Sequence, residues 1–312
     1  MKPLLSDRQK AKVIKYSKSF VLKLLIFILL CGLSYVILYP FIFKFLAAFM
    51  SRSDISNKFV MLIPQDWTLD NFKYVLGETD YLLALKNTLI YALIDGVLAT
   101  ASAALVGYGL AKFKFKGVGI LTGIVVVVML MPLQTLSIPM YLNFYDWNPF
   151  GLFSLIFGKG VNVLTTPLPT IIMAATSFGF RAGIFVILMR QYYIGVPNEL
   201  LEAAFVDGAG PYRTFFNIVL PNAKSMLVVI FSLSFAWQWT DTFYSDLLYG
   251  DTLMLPSLST LMQQVSNTDS EYYLQFIRAN AFAMLAILPL IIMYCFLQKR
   301  IIQGIERSGL VG

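Results

Sequence analysis

The sequence predicts an all-α membrane protein with six transmembrane helices and both termini in the cytoplasm, on three observations. Of its 312 residues, 58% are hydrophobic and only 13% are charged, where a soluble domain carries about 25% charged residues. The apolar residues fall in blocks at about 20–45, 82–110, 118–142, 168–192, 223–246 and 277–298, each near the roughly 20 residues a helix needs to cross a bilayer. These runs are continuous rather than alternating, which in lipid selects helices over a barrel. The basic residues then orient the spans. They gather at Lys2, Arg8, Lys10, Lys12, Lys15, Lys18 and Lys23, at Lys112, Lys114 and Lys116, at Arg190, Arg213 and Lys224, and at Lys299, Arg300 and Arg307. These segments alternate with acid-bearing loops (Asp66, Asp70, Glu78, Asp80; Asp246, Asp251, Asp269, Glu271). The positive-inside rule puts the basic side in the cytoplasm. A net charge of +7, split among membrane-flanking loops, points to topology and not to nucleic acid.

The elements follow in order. Residues 1–19 form a basic cytoplasmic tail. The first apolar block is too long and too late for a cleaved signal peptide, and Lys44 near its outer end can snorkel to the interface. Residues 51–80 are an external loop, with Trp67 as interfacial anchor or contact residue. Span 2 is rich in small residues, among them Ala99, Ala103, Ala104, Gly107 and Gly109, which lets neighbouring helices approach closely. Asp95 falls near its middle and reads as a polar clamp or a functional group. In span 3, Pro132 and Pro139 predict a kink or break near the outer end. An external loop covers 144–167. Span 4 carries Arg181, which must face protein or water, and Asp95 is a conceivable partner. Span 5 ends in Trp237-Gln238-Trp239-Thr240-Asp241-Thr242-Phe243-Tyr244. This cluster reads either as an interfacial aromatic belt or as rings that stack on sugar faces, with polar groups for hydroxyls. An external loop at 247–276, span 6 with Pro289 and a tail at 299–312 complete the transmembrane domain, 20–298, and the chain.

Chemistry is sparse. The chain has no histidine and two cysteines, Cys31 and Cys295, both inside apolar blocks. The usual general base, the commonest metal ligand and a disulfide framework are therefore all missing. No Gly-rich phosphate loop ending in Lys-Ser/Thr is present. The chain is expected to be no enzyme and to hold no cofactor, so any ATP must be held by another subunit.

The most specific segment is the loop 193–222. Pro197 suits the first turn of a helix, and Glu199 complements its positive end. Leu200, Leu201, Ala204 and Phe205 make an apolar stripe, and Gly208 suits the left-handed residue that closes a helix. Pro211 opens a second short helix with an aromatic face of Tyr212, Phe215 and Phe216, before Leu220-Pro221. Exposed apolar surface on such a loop marks a partner.

Glu202-Ala203-Ala204, Asp207-Gly208-Ala209 and Pro221 resemble the EAA loop of the membrane subunits of ABC importers. Other points resemble the carbohydrate-uptake branch and its smaller maltose-type permease. They are Asn87-Thr88, Lys112-Phe113-Lys114-Phe115-Lys116-Gly117, Met131-Pro132, Ile138-Pro139, Arg190-Gln191-Tyr192-Tyr193 and Trp239-Thr240-Asp241. Asp95, Arg181 and the long external loop depart from that pattern. The resemblance implies the type I importer permease fold in a cell-membrane heterodimer with a second permease. It also implies two ATPase subunits carrying ATP and magnesium, an extracytoplasmic solute-binding protein and a sugar substrate. Glu202, Ala203, Ala204, Asp207, Gly208, Ala209, Tyr212 and Phe215 would couple to the ATPase. Trp237, Trp239, Asp241, Tyr244, Asp95 and Arg181 would line the substrate pathway. The rival expectations are the same machine for a polyol, glycerophosphodiester or amino acid, a proton-coupled secondary transporter, and a membrane-embedded enzyme.

Overall fold

The computed structural model describes residues 7–178, 180–249, 257–268 and 271–309. Lys2, Asp251, Asp269 and the final residues Leu310-Val311-Gly312 lie outside the described residues. Contacts divide the chain into two units, Met1–Val75 with Asp269–Met284, and Leu76–Thr268 with Leu285–Gly312.

The first unit begins with α1 (Asp7–Ala48), which carries Pro40 without a break. Then come α2 (Arg52–Ser56) and α3 (Asp70–Gly77). The loop that follows α1 is tied down by polar side chains. The Ser51 hydroxyl accepts from Asp54 N at 3.1 Å, and the buried Asp54 carboxylate accepts from Asp66 N at 3.0 Å. Buried Asn71 donates its amide to Ala48 O and Met50 O, both at 2.9 Å. It thereby takes up carbonyls that the end of α1 would leave without a partner. Arg278 lies 3.6 Å over the Tyr74 ring, a cation–π contact. Trp67 is exposed.

The second unit is built around α4 (Tyr81–Lys112). After it come α5 (Val118–Leu130), α6 (Leu133–Tyr145), a 3-10 turn (Pro149–Gly151), α7 (Leu152–Phe157), α8 (Leu168–Ala175) and α9 (Phe180–Ile194). Next are α10 (Asn198–Val206), α11 (Pro211–Thr214), a π turn (Phe215–Val219), α12 (Leu220–Asn222) and α13 (Lys224–Trp239). Last come α14 (Phe243–Tyr249), α15 (Leu258–Thr268) and α16 (Tyr272–Gly309), whose second half belongs here. No strand occurs among the described residues, only two isolated bridges.

The small residues of α4 do what small residues in a membrane helix allow. A Cβ on Gly107 would lie 2.6 Å from Met189 Cβ on α9, and one on Gly96 would lie 2.8 Å from the Phe231 ring on α13. Ala99, Ala103 and Ala104 are buried with Phe185, Met189 and Ile230 in the main core.

Three expected spans are not continuous helices. Span 3 breaks at Met131-Pro132 between α5 and α6, with a bend of 104°. Pro132 caps α6, while Pro139 stays inside that helix. The break therefore sits mid-segment, not near the outer end. Span 4 breaks between α8 and α9. There Ser177 takes a positive φ of 51°. The freed carbonyl of Ala174 accepts from the Ser102 hydroxyl of α4 at 2.7 Å, and Ser177 Oγ donates to Ser102 Oγ at 2.9 Å. Span 5 stops at Trp239, because Asp241 starts a new helix by accepting from Ser245 N at 3.0 Å. The helix of span 6 does not end at 298 but runs on to Gly309. Among the described residues, three helices, Phe20–Ala48, Tyr81–Lys112 and Tyr272–Gly304, are long and apolar enough to cross a membrane, or up to five if each bent pair is one span.

Candidate functional site

Two neighbourhoods hold the residues the sequence singles out. The first is the loop 193–222. Pro197 precedes α10 as its cap residue, one position before the expected first turn. At the other end Gly208 has φ +79°. Gly208 N donates to Phe205 O at 3.0 Å and Ala209 N to Ala204 O at 2.9 Å. These two bonds form a Schellman closure, which satisfies the last carbonyls and needs a left-handed residue between them. Ala203 O is taken by Asp207 N at 3.0 Å. Glu202 is exposed on α10.

The apolar stripe of α10 divides. Leu201 and Ala204 are buried, while Leu200, Phe205 and Val206 are exposed. Beyond the turn, Tyr212 is 81% exposed and Phe216 54% exposed. Phe215, grouped by sequence with the outward contacts, is 3% exposed. Its ring packs on Tyr108 of α4 at 4.8 Å, so it faces the bundle and cannot meet an outside partner. The residues from Pro211 to Asn222 meet α13 at a bend of 78°. Around this junction Arg190 Nε, Tyr193 Oη, Thr214 Oγ1 and Ser225 Oγ are buried without a hydrogen-bond partner. Such atoms are uncommon in folded proteins.

The second neighbourhood is a small open cleft in the second unit, where α4, α8, α9, α13 and α14 meet. Its polar wall comes from Asp95, Thr170, Arg181, Gln238 and Tyr244, and its apolar wall from Ala99, Met173, Phe178 and Phe185. The break between α8 and α9 lies against it, where interrupted backbone in a membrane protein can line a cavity. Arg181 does not pair with Asp95. Its Nη2 donates to Asp241 Oδ1 at 2.9 Å, and its guanidinium lies 5.9 Å from the Trp237 ring and 5.8 Å from the Tyr244 ring. Asp95 instead accepts from the Ser234 hydroxyl at 2.6 Å, a clamp between α4 and α13. Trp237 is half-buried and stacks on Phe185 at 5.4 Å.

The site residues therefore separate into two kinds. Asp95, Arg181 and Tyr244 reach the cleft. Trp239 and Asp241 support it. The Trp239 indole is 4% exposed, and its N–H donates to Ala286 O at 3.0 Å. The side chain of Asp241 is 1% exposed, and its carboxylate holds both Arg181 and the start of α14. Thr170 and Gln238 were not singled out by sequence. Gln238 sits inside the aromatic run and could have been chosen with its neighbours, but nothing local marks Thr170.

Residues 99–307 match the family described as binding-protein-dependent transport system inner membrane component. The chain belongs to that family. The matched stretch starts within α4 and takes in the loop and, apart from Asp95, the cleft. This inner-membrane component is 29% identical over 298 residues to the maltodextrin transport system permease protein MdxG of Bacillus subtilis, covering 93% of this chain and 96% of that one. It is 26% identical over 304 residues to the arabinooligosaccharides transport system permease protein AraQ of Halalkalibacterium halodurans, covering 96% and 100%. Its fold is that of a chain in the crystal structure of a bacterial ABC transporter involved in the import of the acidic polysaccharide alginate. That likeness has a TM-score of 0.70 at 21% identity and covers 95% of this chain and 99% of that one. The inner-membrane component is thus a multi-pass transport subunit and not an enzyme.

Proposed function

We propose that this chain is one of two permease subunits of a type I ABC importer for oligosaccharides, driven through residues 198–222. Six spans are assigned to α1, α4, α5 with α6, α8 with α9, α13 with α14, and α16. They form the domain 20–298, and both the tail 1–19 and the tail 299–312 are cytoplasmic. The orientation rests on the basic residues at both termini, at 112–116 and around the loop.

The observation that carries the coupling role is the loop itself. A rigid Schellman turn at Gly208 holds Phe205, Val206, Tyr212 and Phe216 outward, where water disfavours them and a protein partner would cover them. Of two ATPase subunits, holding ATP and magnesium, one takes that surface and the other serves the second permease. Their closure pushes the loop, and the loop moves the helices that frame the cleft. A second permease supplies the facing half of the pathway, and an extracytoplasmic binding protein delivers the sugar.

Within the cleft the ring of Tyr244 offers an apolar face, and Trp237 stacks behind Phe185 of its wall. Asp95, Thr170, Arg181 and Gln238 offer donors and acceptors for hydroxyls, the mixture expected of a pocket for a polar, flat-faced ligand. The maltodextrin and arabinooligosaccharide relatives support a neutral oligosaccharide as cargo. The test is reconstitution. The chain is purified with its co-expressed partners, placed in proteoliposomes with the binding protein, and given radiolabelled maltotriose or arabinotriose. ATP-dependent uptake of either is expected. Uptake of neither, or uptake driven by a proton gradient without ATP, refutes the proposal.

A further inference from the structure

Lys112 closes α4, yet its ammonium does not turn to open water. Nζ donates to Val196 O at 2.6 Å and to Asn198 Oδ1 at 2.9 Å, gripping the start of α10. One turn earlier, Tyr108 meets Tyr193 at 5.7 Å, edge on, and Phe215 at 4.8 Å. The inner end of α4 thus holds the loop on both sides of its turn, before Gly208 through Lys112 and after it through Phe215. Gly107 adds a third grip, because its contact with Met189 and Arg190 leaves no room for even a methyl group.

The covalent route from the loop to the next helix is the weaker lever. Between Phe215 and Lys224 the chain passes through a π turn, a bend of 78° and the non-helical residue Ala223. A bent, interrupted segment turns under load instead of transmitting it. In contrast, α4 runs unbroken from Lys112 to Asp95 on the cleft wall, about 25 Å at 1.5 Å per residue. The partnerless buried atoms Arg190 Nε, Tyr193 Oη and Thr214 Oγ1 lie on the elements α4 grips here. A second arrangement of this junction, in which they find partners, would make it two-state, as a mechanical switch requires.

We infer that α4 is the rod that carries motion from the loop to the cleft, with Lys112 and Tyr108 as the positioning residues that fasten it. The inference rests on the coupling role proposed above for residues 198–222. It is tested in the complete complex, with its ATPase and second permease, after Cys31 and Cys295 are changed to serine. Spin labels are placed at Lys86→Cys on α4 and Leu168→Cys on α8, and their separation is read with and without ATP, magnesium and vanadate. No sugar is needed.

The wild-type complex is expected to shift on trapping. Lys112→Ala and Tyr108→Ala are each expected to hydrolyse ATP within roughly two-fold of wild type yet show less than about half of the shift. Lys112→Arg, which keeps a long cationic donor, should restore it. A full shift in Lys112→Ala, no shift in wild type, or parallel loss of hydrolysis and shift overturns the inference. Failure of any ATPase to co-purify overturns the coupling role itself, which is a different result.

Discussion

Gly208 closes α10 at φ +79°, and nothing lies within 4 Å of where its Cβ would be. Conformation alone therefore decides what the position tolerates. A left-handed residue costs an L-amino acid about 1–2 kcal/mol, and Asn bears it better than a β-branched residue. Gly208→Asn should keep most ATP-dependent uptake, whereas Gly208→Val should lose nearly all of it. Equal uptake by the two variants would remove the turn from the mechanism. The pair Arg181 and Asp241 poses the opposite problem, because here the neighbours decide. Removing one partner of a buried ion pair costs about 3–5 kcal/mol, since the other charge is left uncompensated. Arg181→Met should therefore lower the thermal stability of the purified complex sharply. Adding Asp241→Asn should return most of it, because an amide oxygen still accepts from Ser245 N while the orphan charge is gone. A double variant as unstable as the single one would mean that the guanidinium contributes something other than neutralisation.

At the scale of elements, α4 is held by what its side chains leave out. Gly107→Val should destabilise the complex by about 1–3 kcal/mol through overpacking, because Met189 and the backbone of Arg190 fill the space. Gly109→Ala, whose Cβ would meet only the Phe113 ring at 4.0 Å, should be neutral. Melting curves of the two variants that coincide would refute the close crossing of α4 and α9. The small-residue pattern of α4 was legible in the sequence for this reason, as were α1 and α16, because one continuous apolar helix writes itself as one apolar run. The breaks in spans 3, 4 and 5 were harder to read. Pro132 announced a break, yet Pro139, equally visible, bends nothing sharply. Ser177 gave no local signal, since its left-handed backbone depends on Ser102, distant in sequence, to take the carbonyl of Ala174. The role of Asp241 was hidden likewise. Its partners Arg181 and Ser245 come together only in the folded chain, so sequence placed it in the pathway and the fold makes it a support.

At the scale of the whole molecule, the loop 193–222 presents an apolar surface that the described residues do not cover. Leu200, Phe205, Val206, Tyr212 and Phe216 stand out from the loop, at 45%, 47%, 87%, 81% and 54% exposure, on an element that the Gly208 closure makes rigid and that Phe215 and Lys112 pin to α4. Sequence foresaw this apolar face but could not divide it, because the inward turn of Phe215 depends on Tyr108 more than a hundred positions earlier. If the face is the ATPase contact, Tyr212 is its largest strongly exposed ring, and buried tyrosines rank among the residues that dominate interfaces. Tyr212→Asp puts a charge into that contact and should weaken ATPase binding by about thirty-fold or more, which corresponds to about 2 kcal/mol. Phe215→Leu keeps an apolar side chain in the core and should leave ATPase binding near wild type, while loosening the link to α4. The measurement is the amount of ATPase recovered with the purified permease pair across a dilution series. Loss on Tyr212→Asp with retention on Phe215→Leu assigns the two rings to opposite sides of one lever. Equal recovery in both variants would place the ATPase contact on another part of the chain.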